Sequence, residues 1–293
     1  MTINELLKKG MIALKSANID TPQIKARLLL QYVLGMKREH LIIYDKQIVP
    51  KNKEIAYMNN IEKIRQGVPL QYITHSQEFM KMNFYINNDV LIPRPDTEVL
   101  VEEVIRIAKK INNPVILDLC TGSGAIGISI AKYVKDAKVY ASDISEKALE
   151  IAKKNAKIND VNIEFIKSDL FKALPKMKFD IIVSNPPYIR KDIIRRLNID
   201  VQKEPIIALD GGKDGLDFYR RIVEEAPNLL KWNSYLCFEI GYDQKKDVTE
   251  IIEKSNMYYN TYHNLLEDFA LLELDISKVQ EVIKSSDLLT VYK

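Results

Sequence analysis

The stretch "VILDLCTGSGAIGISIA", residues 115–131, decides how the rest of the chain is read. It opens on a short apolar run, Val115 to Leu119, that suits a buried strand. A glycine-rich turn follows, and "AIGISIA" then reads as a buried helix. Gly122, Gly124 and Gly127 meet the G-x-G-x-x-G spacing. Glycines let a backbone turn sharply and approach a ligand closely. The helix start behind them offers unpaired N–H groups to ligand oxygens. Alone, such a turn serves equally to pack a helix on a strand. Its setting adds to it: Asp143 ends the next strand, "KVYASD", at about the distance of an acid that receives ribose hydroxyls. The pattern predicts a site for a nucleoside-containing cofactor.

Towards the C-terminus the alternation continues. "EKALEIAKKNAKIN" reads as a helix, "IEFIKSD" and "FDIIVSN" as strands, "LDFYRRIVEEAPNLL" as a helix and "SYLCFEIG" as a strand. Such alternation predicts an α/β fold, a Rossmann-like parallel sheet with helices on both faces. Towards the N-terminus the character changes. "TPQIKARLLLQYVLGM" begins at a Thr-Pro helix start, is expected to bury Ile24, Leu28, Leu29, Tyr32 and Val33, and stops at Gly35. "NKEIAYMNNIEKIRQG" repeats the pattern with Ile55, Met58, Ile61 and Ile64, and stops at Gly67. Between the two regions, "FMKMNFYINNDVLIPRPDTE" holds two apolar runs about Asn87-Asn88, read as a hairpin turn. Pro93 and Pro95 stiffen the exit into a helix from about Asp96 to Ile111. The expected organisation is a small helical domain over 1–70, a hairpin linker over 71–97 and a cofactor-binding domain over 98–293.

Composition narrows the classes. The 293 residues suffice for about two domains. A net charge of +3 is far from the field of a dedicated duplex-DNA binder. Cys120 and Cys237 make neither a disulfide framework nor a zinc pattern, and His40, His75 and His263 are scattered, so no metal site is expected. The first twenty residues mix charge with apolar positions and do not read as a signal peptide. No apolar run reaches the roughly 18 residues of a membrane-spanning helix. A soluble, cytoplasmic protein with no membrane partner is the expectation.

Two further acids bear on the choice of cofactor. Asp118 ends the strand before the turn. Its charge suits a cofactor bearing an ammonium group, such as S-adenosylmethionine, better than a pyrophosphate. Asp169, in "KSDLF", is placed to accept from an adenine amine or to cap a helix.

"FDIIVSNPPYIR", residues 179–190, then needs an explanation, because two prolines after Asn185 end a strand in a rigid corner. Here the chain resembles the class I S-adenosylmethionine-dependent methyltransferases, through "DLCTGSGAIG", Asp143 and "SNPPYI". Within them it is similar to the HemK/PrmC family of release-factor glutamine N5-methyltransferases. Further matches are "PLQYI", "EFMKMNFYINNDVLIPRPDTE", the helical N-terminal region, "EPIIALDGGKDGLDFYR" and "FEIGYDQ". The likeness runs from about residue 5 to about 255. "IPRPDTE" with "NPPYI" is specific; the glycine turn alone is not. The family commonly has glycine where this chain has Cys120, a small side chain that fits the same turn. From about residue 258 the chain departs from the family's usual ending; "FALLELD" reads as a strand and "SKVQEVIKSS" as a helix.

The resemblance implies methyl transfer from S-adenosylmethionine to the glutamine of the Gly-Gly-Gln motif in peptide-chain release factors. It implies Asn185, Pro186 and Tyr188 as catalytic residues, with Pro187 joining them against the substrate. It implies cofactor contacts from Asp118, Cys120, Thr121, Gly122, Ser123, Gly124, Asp143, Asp169, Leu170 and Asn185. Residues 1–70 would recognise the protein substrate, and a monomer without direct nucleic-acid contact is expected. The corner itself asks only for a planar NH2 on an sp2 carbon. Adenine N6 in a nucleic acid or a glutamine of a ribosomal protein meets that requirement too. Base flipping would call for a basic groove. The N-terminal lysines and arginines (Lys8, Lys9, Lys15, Lys25, Arg27, Lys37, Arg38) instead alternate with Glu5, Asp20 and Glu39. A nicotinamide-dependent dehydrogenase, or a nucleotide-binding module without catalysis, would leave Asn-Pro-Pro-Tyr unexplained.

Overall fold

The computed structural model describes residues 1–255 and, as a strand, 269–274. The helix expected for "SKVQEVIKSS" lies outside the described residues. The chain divides into two compact units. Residues 1–76 and 197–203 form the smaller, and the remainder forms the larger.

The smaller unit is helical: α1 Ile3–Ser16, α2 Pro22–Leu34, α3 Arg38–Ile43, α4 Lys51–Arg65 and α5 Leu70–Thr74. Thr2 and Glu5 cap α1 reciprocally. Gly35 ends α2 in the left-handed region at φ 68°. The buried stripe of α2 is Ala26, Leu29, Leu30 and Val33, whereas Ile24, Leu28 and Tyr32 are exposed. The stripe is therefore rotated from the expected one. Ala26 carries little weight in a hydrophobic pattern, yet its carbonyl accepts from the fully buried Tyr57 hydroxyl at 3.2 Å, so the tyrosine lies against that side of α2. On α4 the buried residues are Tyr57, Ile61 and Ile64, with Met58 partly buried and Ile55 exposed. Gly10 of α1 admits the same ring, since a Cβ there would lie 2.1 Å from the Tyr57 hydroxyl.

The larger unit begins with a two-stranded hairpin, β1 Gln77–Phe79 and β2 Met82–Phe84. Its turn is at Met80 and Lys81, not at Asn87-Asn88. Both residues have positive φ, 51° and 58°, as a two-residue primed turn requires. Asn87 instead makes a local turn by accepting from the Asp89 N–H at 3.0 Å. After α6 (Thr97–Ala108) the chain builds a sheet of β3 Val115–Leu119, β4 Lys138–Asp143, β5 Glu164–Lys167, β6 Phe179–Ser184, β7 Leu230–Glu239 and β8 Phe269–Leu274. The order is β5-β4-β3-β6-β7-β8. All pairs are parallel except β7–β8. "FALLELD" thus supplies the antiparallel edge strand.

Helices α7 (Ala125–Tyr133), α8 (Glu146–Ile158), α9 (Asp217–Glu225) and α10 (Lys245–Lys254) flank the sheet. Tyr219, Ile222 and Val223 of α9 and Val248 and Ile252 of α10 share a core with Leu117, Leu119, Ile182, Leu236 and Phe238. Strand side chains alternate between faces. Asp118 therefore points to the other face, where α7 meets it through Gly127. Strand order reverses between β3 and β6, and the carboxyl ends of such strands are where open α/β sheets bind ligands. No helix among the described residues is long and apolar enough to cross a membrane.

Candidate active site

The glycine turn sits at that reversal. Cys120, Gly122 and Gly124 all have positive φ (62°, 55° and 82°). Gly124 is required twice over, because a Cβ there would also meet Ile128 Cδ1 at 2.8 Å and Ala152 Cβ at 3.1 Å. Asp118 is completely buried beneath the turn, where Oδ2 accepts from the Gly127 N–H at 2.9 Å and from the Thr121 hydroxyl. Burial raises its carboxyl to about 7. The hydrogen bonds from Thr121 and Gly127 oppose that shift, and the charge of Asp143 adds to it. Asp143 caps the turn from above. Its Oδ2 accepts from the Gly122 N–H at 2.9 Å and its Oδ1 from the Ser145 N–H at 2.8 Å. Burial raises its carboxyl above the ordinary range. Asn155 of α8, fully buried, donates to the Ser123 carbonyl at 2.9 Å and bonds both backbone groups of Tyr85. These carboxylates and amides hold the turn open, where a bare glycine loop would have many conformations.

A cavity of about 320 Å3 opens above the turn. Cys120, Gly122, Asp143, Asp169, Leu170, Asn185 and Pro187 line it, with Leu119, Ile144, Phe218 and Arg221. Asp118, Thr121, Ser123, Gly124, Pro186 and Tyr188 do not line it. Ser142 does line it, and its buried hydroxyl has no hydrogen-bond partner among the described residues. A buried polar atom in that state is uncommon, and this one faces the cavity. Asp169 does not cap a helix. Its carboxylate pairs with Arg221 and Lys172, both at 2.6 Å, and these two hold it below the ordinary carboxylate range, Lys172 most. Larger surface grooves, of about 510 and 850 Å3, carry neither the turn nor the corner.

The Asn-Pro-Pro-Tyr corner follows β6 beside the turn. Ser184 donates to the Leu119 carbonyl at 2.7 Å, tying the two strand ends together. The Asn185 Nδ2 donates to Thr97 Oγ1 at 3.3 Å, and the Thr97 hydroxyl donates to Glu239 Oε2 at 2.6 Å. The Tyr188 hydroxyl reaches Glu239 Oε1 at 3.3 Å. Glu239 is 5% exposed, and burial raises its carboxyl despite these donors. Behind the corner, Gln244 Nε2 donates to the Tyr188 carbonyl at 2.9 Å and the Gly215 carbonyl at 3.2 Å. Gly211 and Gly215 allow close approach: a Cβ would meet Tyr188 Cα at 2.7 Å from the first and Tyr188 O at 2.4 Å from the second.

Thr97, Glu239, Gln244, Asn155, Ser142 and Arg221 were not singled out from the sequence. For Glu239 a signal existed: an acid closes an apolar strand, and buried acids are seldom idle. Thr97 lies in "IPRPDTE" and Gln244 in "FEIGYDQ", where local pattern alone assigns neither side chain a role.

Known proteins resemble this chain in sequence and fold. Residues 5–74 match the PrmC N-terminal domain, and residues 95–202 match the methyltransferase small domain. A release factor glutamine methyltransferase of Clostridium acetobutylicum is 43% identical over 258 residues, covering 86% of this chain and 90% of that protein. One from Borreliella burgdorferi is 40% identical over 269 residues, covering 90% and 91%. The fold resembles that of a methyltransferase from Pyrococcus furiosus, with TM-score 0.51, 18% identity, and coverage of 74% of this chain and 99% of that one.

Proposed function

The chain belongs to the release factor glutamine methyltransferase family, and we propose that it methylates the side-chain amide nitrogen of the glutamine in the Gly-Gly-Gln motif of peptide-chain release factors. Its cofactor is S-adenosylmethionine. The observation that carries the reading is that Asn185 lines the same cavity as Asp143 and the glycine turn.

The chemistry of the cavity fits this cofactor. Asp143 keeps lone pairs beyond the two backbone N–H groups it already accepts, and these suit ribose hydroxyls. Ser142 Oγ offers an unused polar atom. Leu119, Leu170 and Phe218 supply apolar wall for a base, and Asp169 an acceptor for its amine. When bound, S-adenosylmethionine supplies an electrophilic methyl group.

An amide nitrogen is a poor nucleophile, because its lone pair is delocalised into the carbonyl. The chain's task is therefore orientation. The Asn185 oxygen and the Pro186 carbonyl accept the two N–H groups of the substrate amide and fix the nitrogen's direction. Pro187 restricts Pro186 to extended backbone and so holds that carbonyl. Tyr188 gives the planar amide a flat face. With the cofactor bound, the methyl would pass from its sulfonium to the nitrogen as the S–CH3 bond breaks, leaving a neutral thioether, and one N–H proton would leave to solvent. Residues 1–70 recognise the protein substrate, a role supported by their match to the PrmC N-terminal domain. The adenine-N6 alternative is not favoured by relatives matched over most of the chain.

The test is transfer from labelled cofactor to purified release factor, ribosomal proteins and DNA in parallel, with the methyl located by mass spectrometry. Label on the release-factor glutamine is expected. Label on DNA alone, or on ribosomal protein alone, would overturn the assignment.

A further inference from the structure

We infer that Glu239 and Thr97 are positioning residues that set which end of the Asn185 amide faces the substrate; this rests on the functional reading above. An ionised carboxylate only accepts hydrogen bonds. Glu239 therefore takes the Thr97 hydroxyl proton at Oε2, over 2.6 Å. A threonine has one such proton, so its oxygen is left as an acceptor towards Asn185. The Asn185 amide meets it with Nδ2, at 3.3 Å. The amide's other end, Oδ1, is then the acceptor presented to a substrate N–H. The polarity runs one way along the chain, from Asn185 N–H to Thr97 to Glu239, and the carboxylate charge is what imposes it.

A neutral group at position 239 removes that direction. It could donate to Thr97, which would turn its own proton towards Asn185, and the amide would rotate. Its NH2 would then face the substrate NH2, donor against donor. Several groups govern the charge of Glu239. Asp96 and Thr97 approach from α6, Asn185 and Tyr188 from the corner, and the Tyr219 hydroxyl of α9 donates to the Glu239 backbone carbonyl at 2.9 Å. Burial and Asp96 favour the neutral form, while the donors Thr97, Tyr188 and Asn185 favour the charged one. Burial thus raises the pH below which the carboxylate loses its charge and its role.

The experiment is steady-state methyl transfer to purified release factor across pH, for the full-length wild type, Glu239→Gln, Thr97→Val and Thr97→Ser. Glu239→Gln and Thr97→Val should each lower kcat about 10- to 100-fold, short of the roughly 10²–10³ for deleting a preorganised partner outright. KM for release factor and cofactor affinity should stay within about twofold, the mark of a transition-state effect. Thr97→Ser keeps the hydroxyl and should restore most of the rate. The wild-type kcat should fall on an acid limb above the ordinary glutamate range, and Glu239→Gln should lack that limb. Wild-type kcat in Glu239→Gln, an unchanged acid limb, or equal losses in Thr97→Ser and Thr97→Val would overturn the inference. Thr97→Val and Thr97→Ser decide it if Glu239→Gln fails to fold. A wild type that transfers no methyl to release factor would bring down the functional reading, and this inference with it. An active wild type with indifferent variants would remove the inference alone.

Discussion

The glycine turn and the Asn-Pro-Pro-Tyr corner lie side by side at the ends of β3 and β6, and each rests on a buried carboxylate. They are braced in opposite ways. The turn is held chiefly by backbone N–H groups on nearby acids, Gly127 onto Asp118, nine positions away, and Gly122 onto Asp143, 21 positions away, with one side chain, Asn155, added at the Ser123 carbonyl. The corner is held by side chains from distant elements. Thr97 stands 88 positions from Asn185 and 142 from Glu239, and Gln244 is 56 from Tyr188. A loop whose own N–H groups turn onto carboxylates can be shaped by nearby acids. A loop that must present one amide oxygen in one direction needs a hydrogen-bond chain of fixed polarity, and that chain has to come from elsewhere in the fold.

The sharpest way to break this contrast is at Asn185. Asn185→Ala should lower turnover by roughly 10²–10³, the scale for one oxyanion-hole partner, while leaving cofactor affinity nearly intact. Asn185→Asp should retain more rate than alanine, since an acceptor oxygen remains. Single-turnover transfer and cofactor titration on the three proteins would check both claims. If alanine loses cofactor instead of rate, the corner is doing the turn's work and the division fails.

Asp143→Ala should do the reverse. It should weaken S-adenosylmethionine binding by roughly 1.5–3 kcal/mol, the range for hydrogen bonds to a charged group, as read by calorimetry. Bound enzyme at saturating cofactor should then turn over at close to the wild-type rate.

Asp118 gives a pH signature to the turn. Its folded-state carboxyl is raised to about 7 from an ordinary 3.8, so between those values the folded chain holds a proton that the unfolded chain has lost. Stability should therefore decline as pH rises through that window, by at most about 1.4 kcal/mol per pH unit, and level off above it. Asp118→Asn should reduce this slope in denaturant titrations between pH 3.8 and about 7, the ends of that window being the same two values. A slope left unchanged in the variant would place its source elsewhere, in the raised carboxyls of Asp143 and Glu239.

The smallest expected effect is at Gln244. Gln244→Ala removes the amide that ties the Tyr188 carbonyl to Gly215 and should cost about 1 kcal/mol of stability. Turnover should suffer more than cofactor affinity, because the corner alone loses its support.

Much of this was legible in the chain. The apolar run of β3, the turn, Asp143 and the strand–helix alternation follow from periods of about 2 and 3.6 residues and from glycine's freedom, all local properties. Local chemistry also misled. Asn87-Asn88 looked like the hairpin turn, yet Met80 and Lys81 take the left-handed conformation because β1 and β2 pair across them. Ile24, Leu28 and Tyr32 looked like core, yet Tyr57 bonds to Ala26 and the stripe of α2 lies elsewhere.

What the sequence alone determined is the parallel α/β architecture, the helical region before it, the cofactor turn with Asp143, and Asn185 in its rigid proline corner. Only the tertiary structure decided that Asp118 lies beneath the turn and that Glu239, through Thr97, meets Asn185. The reason is physical. Period and turn chemistry act between neighbours in the chain. The direction of a hydrogen bond between residues from three separate elements exists only once the sheet has brought those elements together.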